Sequence, residues 1–266
     1  MQRAPLGMNR LRVARVVIRA PVCSFRYPHF LIGRQPSFEM PPPSTIYGHV
    51  ASALGELPAL DSFRFGYDFR FVSKGSDLEH QHIITAGGQA FDTEGKKART
   101  SVQATVQPHW RDFLFKPELT LYLDRPDLAA VFRSPVFCVI LGRSQDLAEI
   151  AGVEEVELEE QIGAYFEHTL LPFSYRASVG RGTTVWMPRY IEPAPAREPH
   201  FDRFIILHER IFGGQIENGE SVGVNRLLLR AGQTVRWWVD PSTAADHGVH
   251  RGVVFHSFTP ESQQPF

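Results

Sequence analysis

The chain has 266 residues, 43% of them hydrophobic and 12% aromatic, with 28 basic against 29 acidic side chains. That length supports one large or two modest domains with a real buried core, and a charged fraction of 21% alongside 20 phenylalanines excludes a disordered or coiled-coil protein. The formal net charge of -1 gives no overall pull toward nucleic acid or an anionic membrane.

Arg10–Ala20 is rich in β-branched residues and stops at Pro21, which predicts a first strand, with residues 1–9 a disordered extension before it. An irregular, proline-punctuated stretch follows, Pro21–Pro43. Ser44 comes after three prolines as the expected N-cap of a helix whose apolar face is Ile46, Val50 and Leu54 and which Gly55 ends. Asp61–Val72 alternates cleanly, with Phe63, Phe65, Tyr67, Phe69 and Phe71 on one face and Arg64, Gly66, Asp68 and Arg70 on the other, the pattern of a half-buried strand. His80–Val106 is polar, carries Gly87, Gly88 and Gly95, and predicts a protruding β-hairpin with its tip near Thr93–Lys97. Leu119, Leu121 and Leu123 mark another strand, Arg125–Asp127 starts a short helix through Phe132, and Val136–Leu141 predicts a further strand ending at Gly142.

Strand, helix, two or more strands, helix, strand is the ferredoxin-like order, an α+β fold. Beyond about Tyr175 the chain is strand-rich with Pro and Gly breaks (Thr183–Tyr190, Phe204–Ile211, Val235–Val239, Val253–Phe258). The expected organisation is therefore a ferredoxin-like domain over 10–175 and a small β-rich domain over 176–266.

Charge placement says more than its sum. Seven arginines and no acid lie between Met1 and Phe38, and eight acids with no Lys or Arg lie between Ser144 and Tyr175. The first block points to an anionic partner, the second to a solvated or protein-facing surface. Only four of the basic residues are lysines. That excess of arginine suits bidentate phosphate recognition, and a GC-rich genome produces it equally. Two cysteines are too few for a disulfide framework and favour a reducing cytosol. No apolar run is long enough to span a membrane, and no signal-peptide pattern is present. We expect a cytoplasmic protein.

No phosphate-binding loop or dinucleotide fingerprint occurs. His80, His82, His247, His250 and His256 lack the convergent Cys or carboxylate partners of a metal site, so no metal or cofactor is expected. Asp240 and Asp246 lie near those histidines, but nothing in the sequence sets an acid/base geometry for them. The strongest constellation is Gly33-Arg34-Gln35-Pro36 followed by Pro41–Gly48, a stiff loop arriving at a helix N-terminus that favours an anion, with Arg26 and Arg34 in reach. A merely structural Pro-rich connection would look the same. Leu141–Ser144 is a strand end with an exposed guanidinium at Arg143, and Lys96, Lys97 and Arg99 put three positive charges on the arm.

Together S-F-R-Y-P (Ser24–Pro28), G-R-Q-P (Gly33–Pro36), P-P-P-S-T-I-Y-G (Pro41–Gly48), R-D-F-L-F-K-P-E-L-T-L-Y-L (Arg111–Leu123) and L-G-R-S (Leu141–Ser144) resemble the CRISPR-associated Cas-five family, most closely members of type I-B-like systems. The match covers most of residues 10–150. The resemblance implies a RAMP-type ferredoxin-like (RRM-like) domain with a β-hairpin thumb, roughly Thr85–Trp110, and a small variable C-terminal domain. It implies a non-catalytic, RNA-binding subunit of the crRNA-guided Cascade ribonucleoprotein complex of antiviral defence, holding the crRNA 5′ handle. The RNA-binding residues it points to are Arg26, Arg34, Gln35, Ser44, Tyr47, Gly142, Arg143 and Ser144, with Lys96, Lys97 and Arg99 of the thumb touching the guide backbone. The implied partners are the crRNA, the Cascade backbone subunit, the large PAM-recognising subunit and, indirectly, target DNA; the acidic Ser144–Tyr175 stretch is a possible protein-docking face.

Single-stranded RNA is held by phosphate neutralisation and by aromatic or guanidinium stacking, and Phe25, Tyr27 and Tyr47 lie near Arg26 and Arg34. Gln35 and Ser44 suit base-edge hydrogen bonds. The alternative is a metal-independent endoribonuclease that processes repeat RNA, for which Tyr47, His49 and His109 are the acid/base candidates.

Overall fold

The computed structural model describes residues 9–30, 33–86, 102–214, 227–228 and 236–259. The strands, in chain order, begin with β1 (Arg10–Arg19), β2 (Val22–Cys23), β3 (Arg34–Gln35), β4 (Phe65–Arg70), β5 (Ser73–Ala86), β6 (Val102–Phe115), β7 (Glu118–Leu123) and β8 (Glu149–Gln161). They continue with β9 (Ala164–Phe166), β10 (Thr169–Pro172), β11 (Thr183–Ile191), β12 (Pro199–Leu207), β13 (Ile211–Gly213), β14 (Leu227–Leu228), β15 (Trp237–Asp240) and β16 (Arg251–Val253). Helix α1 (Pro43–Leu54) lies between β3 and β4, and α2 (Leu128–Arg133) between β7 and β8.

At the centre, β1 pairs antiparallel with β7 and β8, and β7 with β4, so the strands run β4-β7-β1-β8 across the sheet. Alternation in β1, β4 and β7 turns Ala14, Val16, Ile18, Phe65, Tyr67, Phe69, Leu119, Leu121 and Leu123 to one face. There they bury Ile46, Tyr47 and Val50 of α1 and Leu128, Ala129 and Phe132 of α2 in the main core.

Helix α1 starts one residue before the expected Ser44 cap. Pro42 is the cap residue, without a side-chain cap bond, and Pro43 holds the first helical position, where its fixed φ suits and no N–H is lost. Gly55 ends the helix in the left-handed region at φ 81°, as expected.

Three other expectations change. The apolar run Val136–Leu141 forms no strand; Val136 and Phe137 donate their N–H groups to the carbonyls of Ala53 and Ser52 in the last turn of α1. Those carbonyls have no partner within the helix, so the run satisfies them from outside. The strand in its place is the acid-rich β8, whose register puts Glu159, Glu157 and Glu154 opposite Arg10, Arg12 and Arg15 of β1. The ion pairs are Arg10–Glu157 at 3.3 Å, Arg12–Glu155 at 2.7 Å, Arg15–Glu154, and Arg19–Glu118 of β7 at 2.7 Å. The basic front and the acidic middle thus meet along β1 and β8, where Arg10, Arg12 and Arg15 are ion-paired. Strand β4, finally, is buried on both faces, because Val253 and Val254 close over Gly66 and Asp68 is 3% exposed.

The β-rich C-terminal part does not have a sheet of its own. Strands β10, β12 and β11 extend the central sheet beyond β4, and β15, β16, β9, β13 and β14 extend it beyond β8. Met187, Phe204, Ile206 and Phe258 join the main core, while Phe166, Leu171, Ile205, Trp237 and Val239 form a second cluster. No hydrogen-bonded break marks residue 175, since β10 and β12 pair across it.

The arm is a long two-stranded ribbon with β5 and β6 in register from Ser73–Phe115 to Ala86–Val102. It begins nearer the body than the expected Thr85 or His80. Its tip, including Lys96, Lys97 and Arg99, lies outside the described residues, as do residues 1–8. Among the described residues no helix is long and apolar enough to cross a membrane.

Candidate nucleic-acid interface

The root of the ribbon is the meeting point of the segments that carry the sequence motifs. Strand β2 pairs antiparallel with one end of β6, and β3 runs parallel to β6 with Arg34 beside Trp110 and Gln35 beside Arg111. The Trp110 N–H donates to the Gly33 carbonyl at 2.9 Å. Side chains alternate across a strand, so Trp110 and Asp112 share a face with their β5 partners Leu78 and Ser76. His109 and Arg111 share the opposite face with Glu79 and Asp77.

The first face is open. Trp110 is 54% exposed, Leu78 46%, and Phe30 at the neighbouring turn 49%. Arg34 donates to Asp112 Oδ1 from Nε at 3.3 Å and from one terminal nitrogen at 3.1 Å, yet its side chain keeps 69% of its exposure. Asp112 therefore aims the guanidinium without covering it, and an exposed indole lies beside it. An exposed aromatic next to an oriented cation is the pairing that holds a splayed base and its phosphate. Arg26 is also exposed, at a bridge to Ser37, and among the described residues no carboxylate pairs with it.

The second face is a clasp. Gly142 has φ 102° and comes so close to β2's neighbour that a Cβ there would lie 2.5 Å from the Ser24 carbonyl oxygen. The loop it opens is closed by Asp146, which accepts from the Arg143 backbone N–H at 3.1 Å and from the guanidinium at 2.9 and 2.8 Å. Glu79 of the ribbon then accepts from Arg111 and from Gln145, both at 2.8 Å, with Arg143 3.7 Å away. Burial opposes ionisation of Glu79, but the bonds from Arg111 and Gln145 and the charge of Arg143 hold its carboxyl below the usual range. Arg143 is thus not the exposed guanidinium expected. Its bond to Asp146 pushes its pKa up, and it pins the loop to the ribbon. Ser144 remains exposed on that loop.

Other expected contacts lie inside the protein. Gln35 is 1% exposed, because alternation in β3 turns it inward when Arg34 faces out. Tyr47 is 6% exposed; its hydroxyl donates to the Pro58 carbonyl at 2.6 Å, and Tyr190 and Phe258 meet its ring edge-on. It stands one residue after Ile46 on the buried side of α1, so it packs instead of stacking on a base. Phe25 is buried too, and half-buried Tyr27 stacks on Phe38 at 3.7 Å. Ser44 is half-buried in the first turn of α1.

His49 is buried on α1, and burial alone pushes its pKa down to about 4. His109 is 3% exposed. Of the residues weighed for acid/base chemistry, Asp240 is bound to Arg15, Tyr122 and Ser242, and Asp246 to Arg210. His256 is buried against the Leu170 carbonyl. Among the described residues no group of three or more His, Cys, Asp or Glu is placed to hold a metal ion.

Sequence reasoning missed Trp110. Its signal was present: in His109-Trp110-Arg111-Asp112 a tryptophan alternates with polar residues, and period two puts it on the face of Asp112, the partner of Arg34.

The chain is similar in structure, at 14% identity and a TM-score of 0.44, to a chain of a CRISPR RNA-guided surveillance complex, covering 76% of this chain and 88% of that one. It is similar at 13% identity and a TM-score of 0.40 to a chain of the Type III-B Cmr-beta complex bound to cognate target RNA, covering 73% and 84%. A solved CRISPR-associated protein matches at 14% identity and a TM-score of 0.34, covering 76% and 95%. No curated protein matches the chain in sequence. The family model described as CRISPR-associated protein (Cas_Cas5) matches residues 15–205, which takes in the central sheet, both helices, the ribbon and the β11–β12 hairpin. The chain belongs to the CRISPR-associated Cas_Cas5 family.

Proposed function

We propose that this protein is a non-catalytic RNA-binding subunit of a type I crRNA-guided Cascade complex, of type I-B-like kind, and that the root of its thumb holds the crRNA 5′ handle. The observation that carries this is the open face of the β3–β6 pair, where Arg34 is aimed by Asp112 and stays exposed beside Trp110. The antiparallel order β4-β7-β1-β8 with two helices on one face supports the ferredoxin-like, RAMP-type reading of the domain. In this role the protein is cytoplasmic. Its ribbon meets the neighbouring backbone subunit, and the large PAM-recognising subunit rests on its body; target DNA is reached only through the complex.

The endoribonuclease alternative finds little support in its candidate groups. Tyr47 donates into the body of the protein, and His49 and His109 are buried, so none reaches an RNA 2′-hydroxyl or leaving oxygen at the surface.

The test is a gel-shift titration with labelled RNA of the repeat-derived handle. Changing Arg34→Ala and Trp110→Ala together is expected to weaken binding at least about tenfold, the loss of one stacked base and one phosphate contact. Melting temperature should not move, because both side chains are more than half exposed. Unchanged affinity removes the thumb root from the site. Incubation with repeat RNA in EDTA examines the alternative: specific cleavage that disappears in His49→Ala overturns the non-catalytic reading.

A further inference from the structure

Trp186, on the edge strand β11, is 62% exposed. The antiparallel register sets it opposite Arg203 of β12, and such directly opposed side chains stand about 5 Å apart at Cβ. The Arg203 guanidinium lies 4.2 Å from the centre of the Phe173 ring, and the Arg176 guanidinium 5.1 Å from that same centre. Two cations therefore converge on one aromatic ring. Among the described residues neither has a carboxylate within ion-pair distance, in contrast to Arg10, Arg12, Arg15 and Arg19 of β1.

Aromatic rings connect this patch to the loop that carries Arg26 and Arg34 at its two ends. Phe201 lies two residues before Arg203 on the same face, meets Trp186 edge-on at 6.0 Å, and stacks on His29 at 5.4 Å. His29 sits in the turn closed by the Phe30 N–H and the Tyr27 carbonyl, between Arg26 and Arg34. A run of rings thus leads from the arginine-bearing loop to the C-terminal hairpin.

We propose that the exposed face of the β11–β12 hairpin is a second contact for single-stranded RNA, extending the thumb-root track onto the C-terminal half of the chain. The inference rests on the thumb root being an RNA site. An exposed indole beside unpaired guanidinium groups fits a base on the ring and phosphates on the cations. The strand must be single, because only splayed bases offer a free face to the indole.

The experiment uses fluorescence anisotropy with the full chain and two labelled oligouridylates, one of about six nucleotides and one of about sixteen. Trp186→Ala with Arg203→Ala should bind the long RNA about tenfold more weakly and the short RNA as wild type does, while Trp186→Phe retains most of the affinity for the long RNA. Arg34→Ala should weaken both. If the Trp186/Arg203 variant matches wild type on the long RNA while Arg34→Ala weakens both, the hairpin contact is wrong and the thumb-root reading stands. If Arg34→Ala weakens neither, the thumb-root reading falls, and the continuity argued here falls with it. RNA affinity unchanged but capture of a Cascade subunit lost in Trp186→Ala makes the patch a protein-docking face and overturns the proposal.

Discussion

The arginines of β1 and those at the thumb root come from one basic stretch of sequence, but their side chains end differently. Along β1, Arg10, Arg12, Arg15 and Arg19 finish on carboxylates of β8, β7 and β15. At the thumb root Arg34 touches a single carboxylate and stays 69% exposed, and Arg26 has no acidic partner among the described residues. The difference is one of register: β8 supplies an acid opposite each of the four β1 arginines, whereas β6 supplies Trp110 opposite Arg34. An arginine count therefore says nothing about nucleic acid until the strand across from it is known.

Removing single groups should separate the two regions, and the largest effect is expected inside the ladder. Asp240 is fully buried and accepts from Arg15 at 2.7 Å, from Tyr122 at 2.9 Å and from Ser242. Burial opposes its ionisation, but the bonds from Ser242 and the charge of Arg15 keep its pKa below the usual range. Arg15→Ala leaves that carboxylate buried without its cation, so unfolding free energy should fall by about 3–5 kcal/mol, read by urea denaturation. RNA affinity of the folded fraction should not change. A loss of RNA affinity there with stability intact would reverse the comparison.

Acid should act on the body next. His49 and His256 are both held near pKa 4 by burial, against an ordinary value near 6.5. The unfolded chain takes up those protons first as pH falls, so stability is full above about 6.5 and drops between 6.5 and 4. A shift of that size is worth about 3 kcal/mol per histidine. His256→Gln should flatten the melting-temperature profile over that window; an unchanged profile would mean that His256 is not buried neutral.

A smaller loss belongs to the clasp. Gly142→Ala puts a Cβ against the Ser24 carbonyl at a φ that suits glycine, at a cost of about 1–3 kcal/mol. Because the loop and the ribbon share Glu79, hydrogen exchange should rise at Ser144–Leu147 and around Glu79 together, before the central sheet responds. Separate responses would show that the clasp does not couple them.

The smallest effect should be Arg12→Ala. Its pair with Glu155 is mostly exposed on the arginine side, so the change should cost no more than about 1 kcal/mol and vanish at high salt. Handle-RNA binding should match wild type, unlike the Arg34/Trp110 variant. A salt-dependent loss of RNA affinity in Arg12→Ala would return the basic front to the interface.

Local patterns carried much of the fold. β-branched density placed β1, apolar spacing and Gly55 placed α1, alternation placed β4 and β7, and glycine-broken polarity placed the ribbon. They misplaced the strand that follows α2, because the charged run Glu149–Gln161 forms a strand beside the basic β1, while Val136 and Phe137 are drawn to the end of α1. The same limit applied to the site. Motif residues Arg34, Gly142 and Arg143 do converge on the thumb root, but spacing alone did not reveal that Gln35 and Tyr47 point inward or that Trp110 points outward.

The sequence by itself determined the family, through short motifs, and the local elements, through steric and hydrophobic periodicity. Only the tertiary structure decided which charges remain available. Among the described residues, the arginines of β1 are paired with acids of strands far apart in the chain, and register depends on the whole sheet. Topology sets that Arg34 keeps its exposure beside Asp112 and that, among the described residues, Arg26, Arg176 and Arg203 have no carboxylate partner.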